Sequence, residues 1–470
     1  MKSIFSLNLE SRSCSEYISR VKKLKHPFLI GTVIFSVLLI CLFLYFKPSR
    51  RPNIILILVD ALRADHVGAY GYERNTTPVL DRFARESVLF SRAVSASNWT
   101  PVSTASMFSG LYAFSHGLIP PSKDPGPALQ MAIRIGEGVE VLAERLKRAG
   151  YTTAAVSANS WHKEEFGFSR GFGIFLVDRT AYANDMNRYA FQVVKKIVRK
   201  KKPFFLYLHY IDPHKPYNPP HAYEKSFPAP LRDQRYPGDI SSLIDLYDGE
   251  IQFVDRMIGE FFKKLKKVGL YEETFIIVTA DHGEQFMERG QQGHGEQLFM
   301  EEIHIPLIMK SGASPHRAHE TVSNIDIYST ILKAARLAIP ENTPSIPLQD
   351  ERGLRKRAGV MSESFQAFHY KSIITVDGKK LIMDFGSPYK PEYLSLPVEK
   401  IMAGAEVVGL FGLEKDPLEQ APLNDERLER ELRGRLEKEL RWALSLRKPA
   451  QKGKISAKTL EELKSLGYLK

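Results

Sequence analysis

Residues 53–59 read Asn-Ile-Ile-Leu-Ile-Leu-Val after Pro52, and Asp60 follows at once. A strand with one face in water alternates apolar and polar side chains. An unbroken apolar run needs cover on both faces, which a parallel sheet clothed by helices provides. Four more apolar segments of strand length recur at 152–157, 204–209, 274–279 and 305–310. Helical patterns lie among them at 78–86, opened by Thr77-Pro78, at 139–148, closed by Gly150, and at 240–267. The alternation predicts an α/β domain built on a doubly wound, mostly parallel sheet flanked by helices. Such sheets gather their sites at the carboxyl ends of the strands, so residues just after each strand carry the functional information.

Two of those positions offer metal-ligand chemistry. Asp60 ends the first run, and Asp281-His282 follows the strand segment within Thr279-Ala280-Asp281-His282-Gly283-Glu284. An adjacent carboxylate and imidazole suit Zn2+ or Mn2+. Taken alone, Asp-His also occurs in plain turns, and Asp60 also reads as a helix cap. A third segment, Trp99-Thr100-Pro101-Val102-Ser103-Thr104-Ala105-Ser106-Met107-Phe108-Ser109-Gly110, is rich in small hydroxyl residues. Pro101 suits a first helical turn and Gly110 a helix stop, which sets Thr100 at an amino end that attracts anions. Thr100 alone also reads as that helix's cap, and Asn98-Trp99-Thr100 is a formal glycosylation sequon.

Together these segments make the chain resemble the sulfatases of the alkaline phosphatase superfamily. The resemblance runs through 53–60, 100–110, His116-Gly117, Gly150-Tyr151-Thr152-Thr153-Ala154, His209-Tyr210-Ile211-Asp212-Pro213-His214-Lys215-Pro216-Tyr217, 279–284, Gly293-His294-Gly295 and Ile305-Pro306-Leu307-Ile308. Near the end, 413–419 (LEKDPLE) and 463–469 (LKSLGYL) look like the tail of bacterial sulfatase-like proteins. The match covers nearly everything after residue 52. It implies an alkaline-phosphatase-like fold in which Asp60, Asp281 and His282 bind one divalent metal, with Thr100 as nucleophile and fourth ligand. His214 and His294 would contact the oxygens of the transferring group or protonate the leaving oxygen. His209, Lys215 and Thr104 would lie against the substrate, although His209 also reads as a satisfied strand-end histidine.

The departures redirect the chemistry. Sulfatases carry Cys or Ser at the nucleophile position, converted to formylglycine with the help of an Arg four residues on; here those positions are Thr100 and Thr104. Threonine cannot yield that aldehyde, so no formylglycine is expected. Many sulfatases have a second Asp after the first ligand and a later Asp-Asn pair, whereas this chain has Ala61 and Asp281-His282. Imidazole in place of an oxygen donor favours Mn2+ or Zn2+ over Ca2+. Thr with Asp-His is similar to the phosphoglycerol and phosphoethanolamine transferases of the superfamily, and the metal set alone to its phosphonate monoester hydrolases. A Thr alkoxide can displace at phosphorus and pass the group on, whereas a sulfo-threonine has no easy release. The expected activity is hydrolysis or transfer of a phosphoester. The alternatives are a sulfatase acting without formylglycine and a non-catalytic binding protein retaining the fold. The expected partner is an anionic phosphate or sulfate ester, with envelope lipids and glycans as candidates.

Location is read from the first 51 residues. Residues 28–46 (FLIGTVIFSVLLICLFLYF) carry no charge and are long enough to cross about 30 Å of hydrocarbon as a helix. Arg20, Lys22, Lys23 and Lys25 precede them, which predicts a cytoplasmic segment 1–27 and an extracytoplasmic catalytic domain on a single-pass cell-membrane anchor. A removed signal sequence is the alternative. The chain holds 66 basic and 54 acidic residues. Nine and two of these fall in the first 51, leaving 57 against 52. That mild surplus suits an anionic substrate and gives no argument for nucleic acid. Lys195, Lys196 and 199–202 read as a solvated helix end, with lipid headgroups as the alternative. Both cysteines, Cys14 and Cys41, lie in the leader, so no disulfide is expected in the domain.

The expected organisation is a catalytic domain at 52–336, a change to Pro and polar composition over 337–354, a smaller α+β subdomain at 355–450 and a tail at 451–470. Segments 370–376 and 379–384 around Asp377-Gly378 read as a hairpin, and 425–446 as a helix rich in charge pairs. Residues 222–238 read as a surface excursion beside the site.

Overall fold

The computed structural model describes residues 35–36, 51–119, 131–227, 240–365, 369–386, 396–447, 451–454, 456–459 and 461. The chain divides into Met1–Arg50 and Arg51–Lys470. The expected anchor at 28–46 lies outside the described residues except for positions 35 and 36, as do 228–238 of the excursion and most of the tail. Among the described residues no helix is long and apolar enough to cross a membrane.

The second unit opens with β1 (Asn53–Val59), α1 (Pro78–Arg85), β2 (Val88–Val94), α2 (Thr100–Ser109), α3 (Leu142–Arg148), β3 (Thr152–Ser157) and β4 (Ile174–Val177). It continues through α4 (Ala183–Val198), β5 (Phe204–Tyr210), α5 (Ser241–Lys267), β6 (Thr274–Thr279), β7 (His304–Ile305), β8 (Leu307–Lys310), β9 (His316–Ser323) and α6 (Asp326–Ala334). These nine strands form one mixed, mostly parallel sheet in the order β7-β2-β8-β6-β1-β5-β3-β4, with β9 paired to β2. β1 sits at the centre, parallel to both β5 and β6. Residues 54–58 are all fully buried, which is why their run has no polar break. Cutting one such side chain back to Ala costs about 2–5 kcal/mol.

Where boundaries differ from the sequence expectation, local chemistry explains it. The strand expected at 305–310 is split because Pro306 has no N–H for the ladder. Ile305 pairs with β2, and β8 then runs antiparallel between β6 and β2. α3 begins at 142 because the Glu144 carboxylate folds back on the Val141 N–H at 3.1 Å. α1 is held at its start by Asp255 of α5, which accepts from Val79 N (2.9 Å) and Leu80 N (2.8 Å), satisfying first-turn donors. α2 stops at Gly110, in the left-handed region at φ 68°.

A second, antiparallel sheet contains β10 (Val360–Glu363), β11 (Tyr370–Ile374), β12 (Lys379–Asp384) and β13 (Glu406–Gly412) in that order. α7 (Glu426–Ser445) follows, capped by Asp425, whose Oδ1 accepts from Leu428 N at 2.9 Å, and it buries Leu432, Leu436 and Leu440. Two ion pairs are fully buried here, Lys371–Glu363 at 2.5 Å and Lys380–Glu419 at 2.6 Å. Removing one partner of such a pair costs about 3–5 kcal/mol. Glu363 also accepts from Ala113 N at 3.1 Å and bridges to Ser97. The second sheet thereby grips the segments on either side of α2.

Candidate active site

Adjacent parallel strands with level registers bring their carboxyl ends together. Asp60 follows β1, Asp281 and His282 follow β6, and Thr100 opens α2; all four are 0% exposed. Ligand atoms of Asp60, Asp281 and His282 lie within 4.8 Å of one another. His282 Nε2 stands 3.1 Å from Thr100 Oγ1, 3.5 Å from Asp281 Oδ2 and 3.7 Å from Asp60 Oδ1.

Each side chain is aimed by its second atom. Asp281 Oδ1 accepts the N–H of His282 (3.0 Å) and of Ala61 (3.2 Å), which turns out of β1 in a left-handed conformation, φ 56°. Asp60 Oδ2 accepts from Asn159 Nδ2 at 2.7 Å. His282 Nδ1 donates to the Gly283 carbonyl at 2.8 Å, which turns Nε2 toward Thr100 and the two carboxylates. Ser95 and Ser103 both donate to the Asp281 carbonyl, and Asn324 Nδ2 holds Ser103 Oγ at 2.8 Å.

The atoms left over suit a cation. Asp60 Oδ1 and Asp281 Oδ2 are buried with no hydrogen-bond partner, a costly state for carboxylate oxygens. Burial opposes the charge on Asp60, but the bond from His209 and the nearby His214 and His282 hold its carboxyl well below the usual range. Burial and then Asp60 push Asp281 up. Burial disfavours protonated His282, yet Asp281 and Asp60 raise it. Two carboxylate oxygens, one imidazole nitrogen and a hydroxyl around one point match a divalent metal's donor set.

A histidine cluster faces this group. The His294 ring centre lies 4.1 Å from that of His282 and 4.9 Å from that of His214. His294 Nδ1 is 3.0 Å from Glu284 Oε1, and His214 Nδ1 is 2.7 Å from the Lys215 carbonyl. Burial, then His282, His214 and Lys215, push His294 well below its ordinary value, so it is neutral. Lys215 is exposed, with its ammonium beside Gly293 and Glu284.

The remaining expected residues are placed differently. His209 Nε2 lies 3.3 Å from Asp60 Oδ2, and Thr104 is fully buried beside Tyr207. Both therefore lie behind the ligand set. Asn159 and His162 were not singled out by the sequence, although Asn159 bonds Asp60 and the His162 ring stacks edge-on at 4.7 Å against His209. Their position just past β3 was the available signal.

The loop carrying His214 rests on α5 through Glu250. Its Oε1 accepts the Asn218 N–H at 2.8 Å, Oε2 has no partner, and burial pushes the carboxyl up to about 9. The folded protein therefore keeps a proton that the unfolded chain loses near 4.5. Stability falls as pH rises between these values, by about 3 kcal/mol at neutral pH. Glu250→Gln removes that slope. Thermal unfolding midpoints of parent and variant should coincide at acid pH and separate toward alkaline pH, with the variant higher.

Comparisons with known proteins agree with this fold. A family model described as Sulfatase matches residues 52–337. An arylsulfatase of Clostridium perfringens (strain 13 / Type A) is 25% identical over 391 residues, spanning 64% of this chain and 78% of its own. The multifunctional alkaline phosphatase superfamily protein PehA of Trinickia caryophylli is 24% identical over 384 residues, 60% of this chain and 73% of its own. The structure of the phosphonate monoester hydrolase of Agrobacterium radiobacter is similar at a TM-score of 0.66 and 18% identity, covering 84% of this chain and 96% of that one. The family model spans more than half of the sequence, and the chain belongs to the sulfatase family of the alkaline phosphatase superfamily, a family of ester-hydrolysing enzymes.

Proposed function

We propose that this protein hydrolyses or transfers a phosphoester through Thr100, on the outer face of a membrane to which residues 28–46 anchor it. The convergence of the Thr100 hydroxyl with Asp60, Asp281 and His282 carries the reading. Imidazole among the donors favours Mn2+ or Zn2+ over Ca2+. A divalent cation held by these residues supplies positive charge that lowers the cost of a Thr100 alkoxide and of the ester's oxygens.

The chain's own groups do the rest. Neutral His294 takes the Thr100 hydroxyl proton as Oγ attacks phosphorus, the bond to the departing alcohol breaks, and that proton passes to the departing oxygen, directly or through His214. Neutral again, His294, oriented by Glu284, takes a proton from the next attacking water or alcohol; the bond from phosphorus to Thr100 breaks, that proton returns to Oγ, and the phosphoryl product leaves. Lys215 sets its charge at the mouth of the site. Gly293 has φ 104° and leaves room for the Lys215 ammonium. Gly293→Ala is expected to displace Lys215 and lower kcat/KM about tenfold, measured on an aryl phosphodiester with the unfolding midpoint as the control for folding.

Sulfate ester hydrolysis is the second reading, favoured by sulfatase relatives such as the arylsulfatase. One experiment separates the two: metal-loaded protein is offered aryl phosphate, aryl phosphodiester and aryl sulfate. Phosphorus substrates should turn over faster. Sulfate turnover exceeding every phosphorus substrate would sink the phosphoester reading.

A further inference from the structure

The edge of the main sheet opposite the catalytic site is strongly basic. The registers Asn53↔Thr274, Ile54↔Phe205 and Thr152↔Phe204 put the amino ends of β1, β3, β5 and β6 level. α3, α4 and α5 lead into β3, β5 and β6 through short connections, so their carboxyl ends share that edge. There 195–202 reads Lys-Lys-Ile-Val-Arg-Lys-Lys-Lys, and 263–267 reads Lys-Lys-Leu-Lys-Lys, without one acidic residue. Lys147 and Arg148 of α3 add to them, and every one of these cations is exposed.

Basic residues are common in last helical turns because they complement the helix dipole. That does not account for 199–202, which lies beyond α4. The acidic groups at the edge are few: Glu272 pairs with Lys310 at 3.7 Å, Glu86 takes the Tyr271 hydroxyl, Glu140 pairs with Arg148, and Glu273 is exposed. Residues 52–470 hold 57 basic and 52 acidic groups, so the concentration on one edge reflects placement and not overall charge.

The chain also enters the domain here. Arg51 donates to the Ala149 carbonyl at 2.6 Å, and the Tyr151 hydroxyl donates to the Pro52 carbonyl at 3.2 Å. The 50 residues that include the uncharged run 28–46 attach at this point. Asp60 and the rest of the ligand set stand at the other end of β1, about 20 Å away at 3.3 Å per residue.

We propose that this edge docks on the anionic headgroups of the bilayer, directing the catalytic cleft away from the membrane. The substrate is then an ester on a soluble or polymeric molecule above the surface, not a headgroup of the leaflet that holds the protein. This orientation rests on the anchor reading, while its charge argument stands on the edge alone. Juxtamembrane Lys and Arg are attracted to anionic headgroups within a screening length of about 8 Å, so several together hold a domain in one orientation.

The test uses the full chain with Cys14→Ser and Cys41→Ser, which leaves no other cysteine, and one fluorophore on Lys201→Cys or His221→Cys. His221 follows the carboxyl end of β5 and its side chain is 89% exposed. Each protein is reconstituted in vesicles bearing a headgroup quencher, with phosphatidylcholine alone or with about a third phosphatidylglycerol. The label at 201 should be quenched several-fold more than that at 221. The difference should require the anionic lipid and shrink at high salt. Reversing Lys200, Lys201 and Lys202 to Glu should abolish it, read from a label on Lys196→Cys, while turnover of a soluble aryl phosphate stays unchanged. Equal quenching at 201 and 221, with protein still retained in the vesicles at high salt, would overturn the docking and leave the anchor standing. Loss of protein from the vesicles at high salt would overturn the anchor instead. Tighter binding to duplex DNA than to anionic vesicles would reassign the edge to nucleic acid.

Discussion

Thr100→Ala is expected to lower kcat about a thousandfold or more, the scale on which loss of a covalent nucleophile is felt, while the fold survives. The side chain is fully buried at the first position of α2, and no cap bond to it anchors the helix. Truncation therefore removes one methyl group and one hydroxyl without breaking the α2 ladder. Stability should change by about 1 kcal/mol, whereas the reacting oxygen disappears. Thr100→Ser keeps that oxygen and should retain much of the rate. Steady-state kinetics on an aryl phosphodiester, with circular dichroism as the folding control, check both. A rate for Thr100→Ala within a few-fold of the parent would remove Thr100 from the chemistry and favour the binding-protein class.

The second large effect concerns the cation. Metal-free protein buries two carboxylates with an unpartnered oxygen on each, so Mn2+ or Zn2+ should raise the unfolding midpoint. At a hundredfold excess over Kd the added stability is about 2.7 kcal/mol, several degrees in a domain of this size. Asp281→Asn should abolish that rise and the turnover together. In the absence of metal the same variant should be at least as stable as the parent, because it removes a carboxylate that burial and then Asp60 push up. Differential scanning fluorimetry with and without metal reads each arm. A variant that still gained the parent's full metal-dependent rise would place the cation elsewhere.

The centre of the fold was legible because period and burial agree. β1 is apolar from 54 to 59 because both of its faces are buried, and α2 is bounded by Pro101 and Gly110. Asp60, Asp281 and His282 were legible because each sits one to three residues past a strand that declares itself. What the sequence did not reveal depends on packing between distant segments. Asn159 follows β3 in a segment with no motif of its own, and only the parallel pairing with β5 brings it to Asp60. The antiparallel insertion of β8 depends on pairing with both β2 and β6, which the composition of 305–310 does not encode. Thr104 points into the core beside Tyr207, one turn from the Thr100 hydroxyl, because the helix period carries it there.

Mass spectrometry of protein quenched during turnover of a phosphodiester tests the central claim most directly. The peptide containing Thr100 should carry one phosphoryl group with the diester's remaining ester arm attached, absent in Thr100→Ala and absent without metal. Continued turnover at the parent's rate, with that peptide unmodified at every quench time and Thr100→Ala equally active, would contradict it.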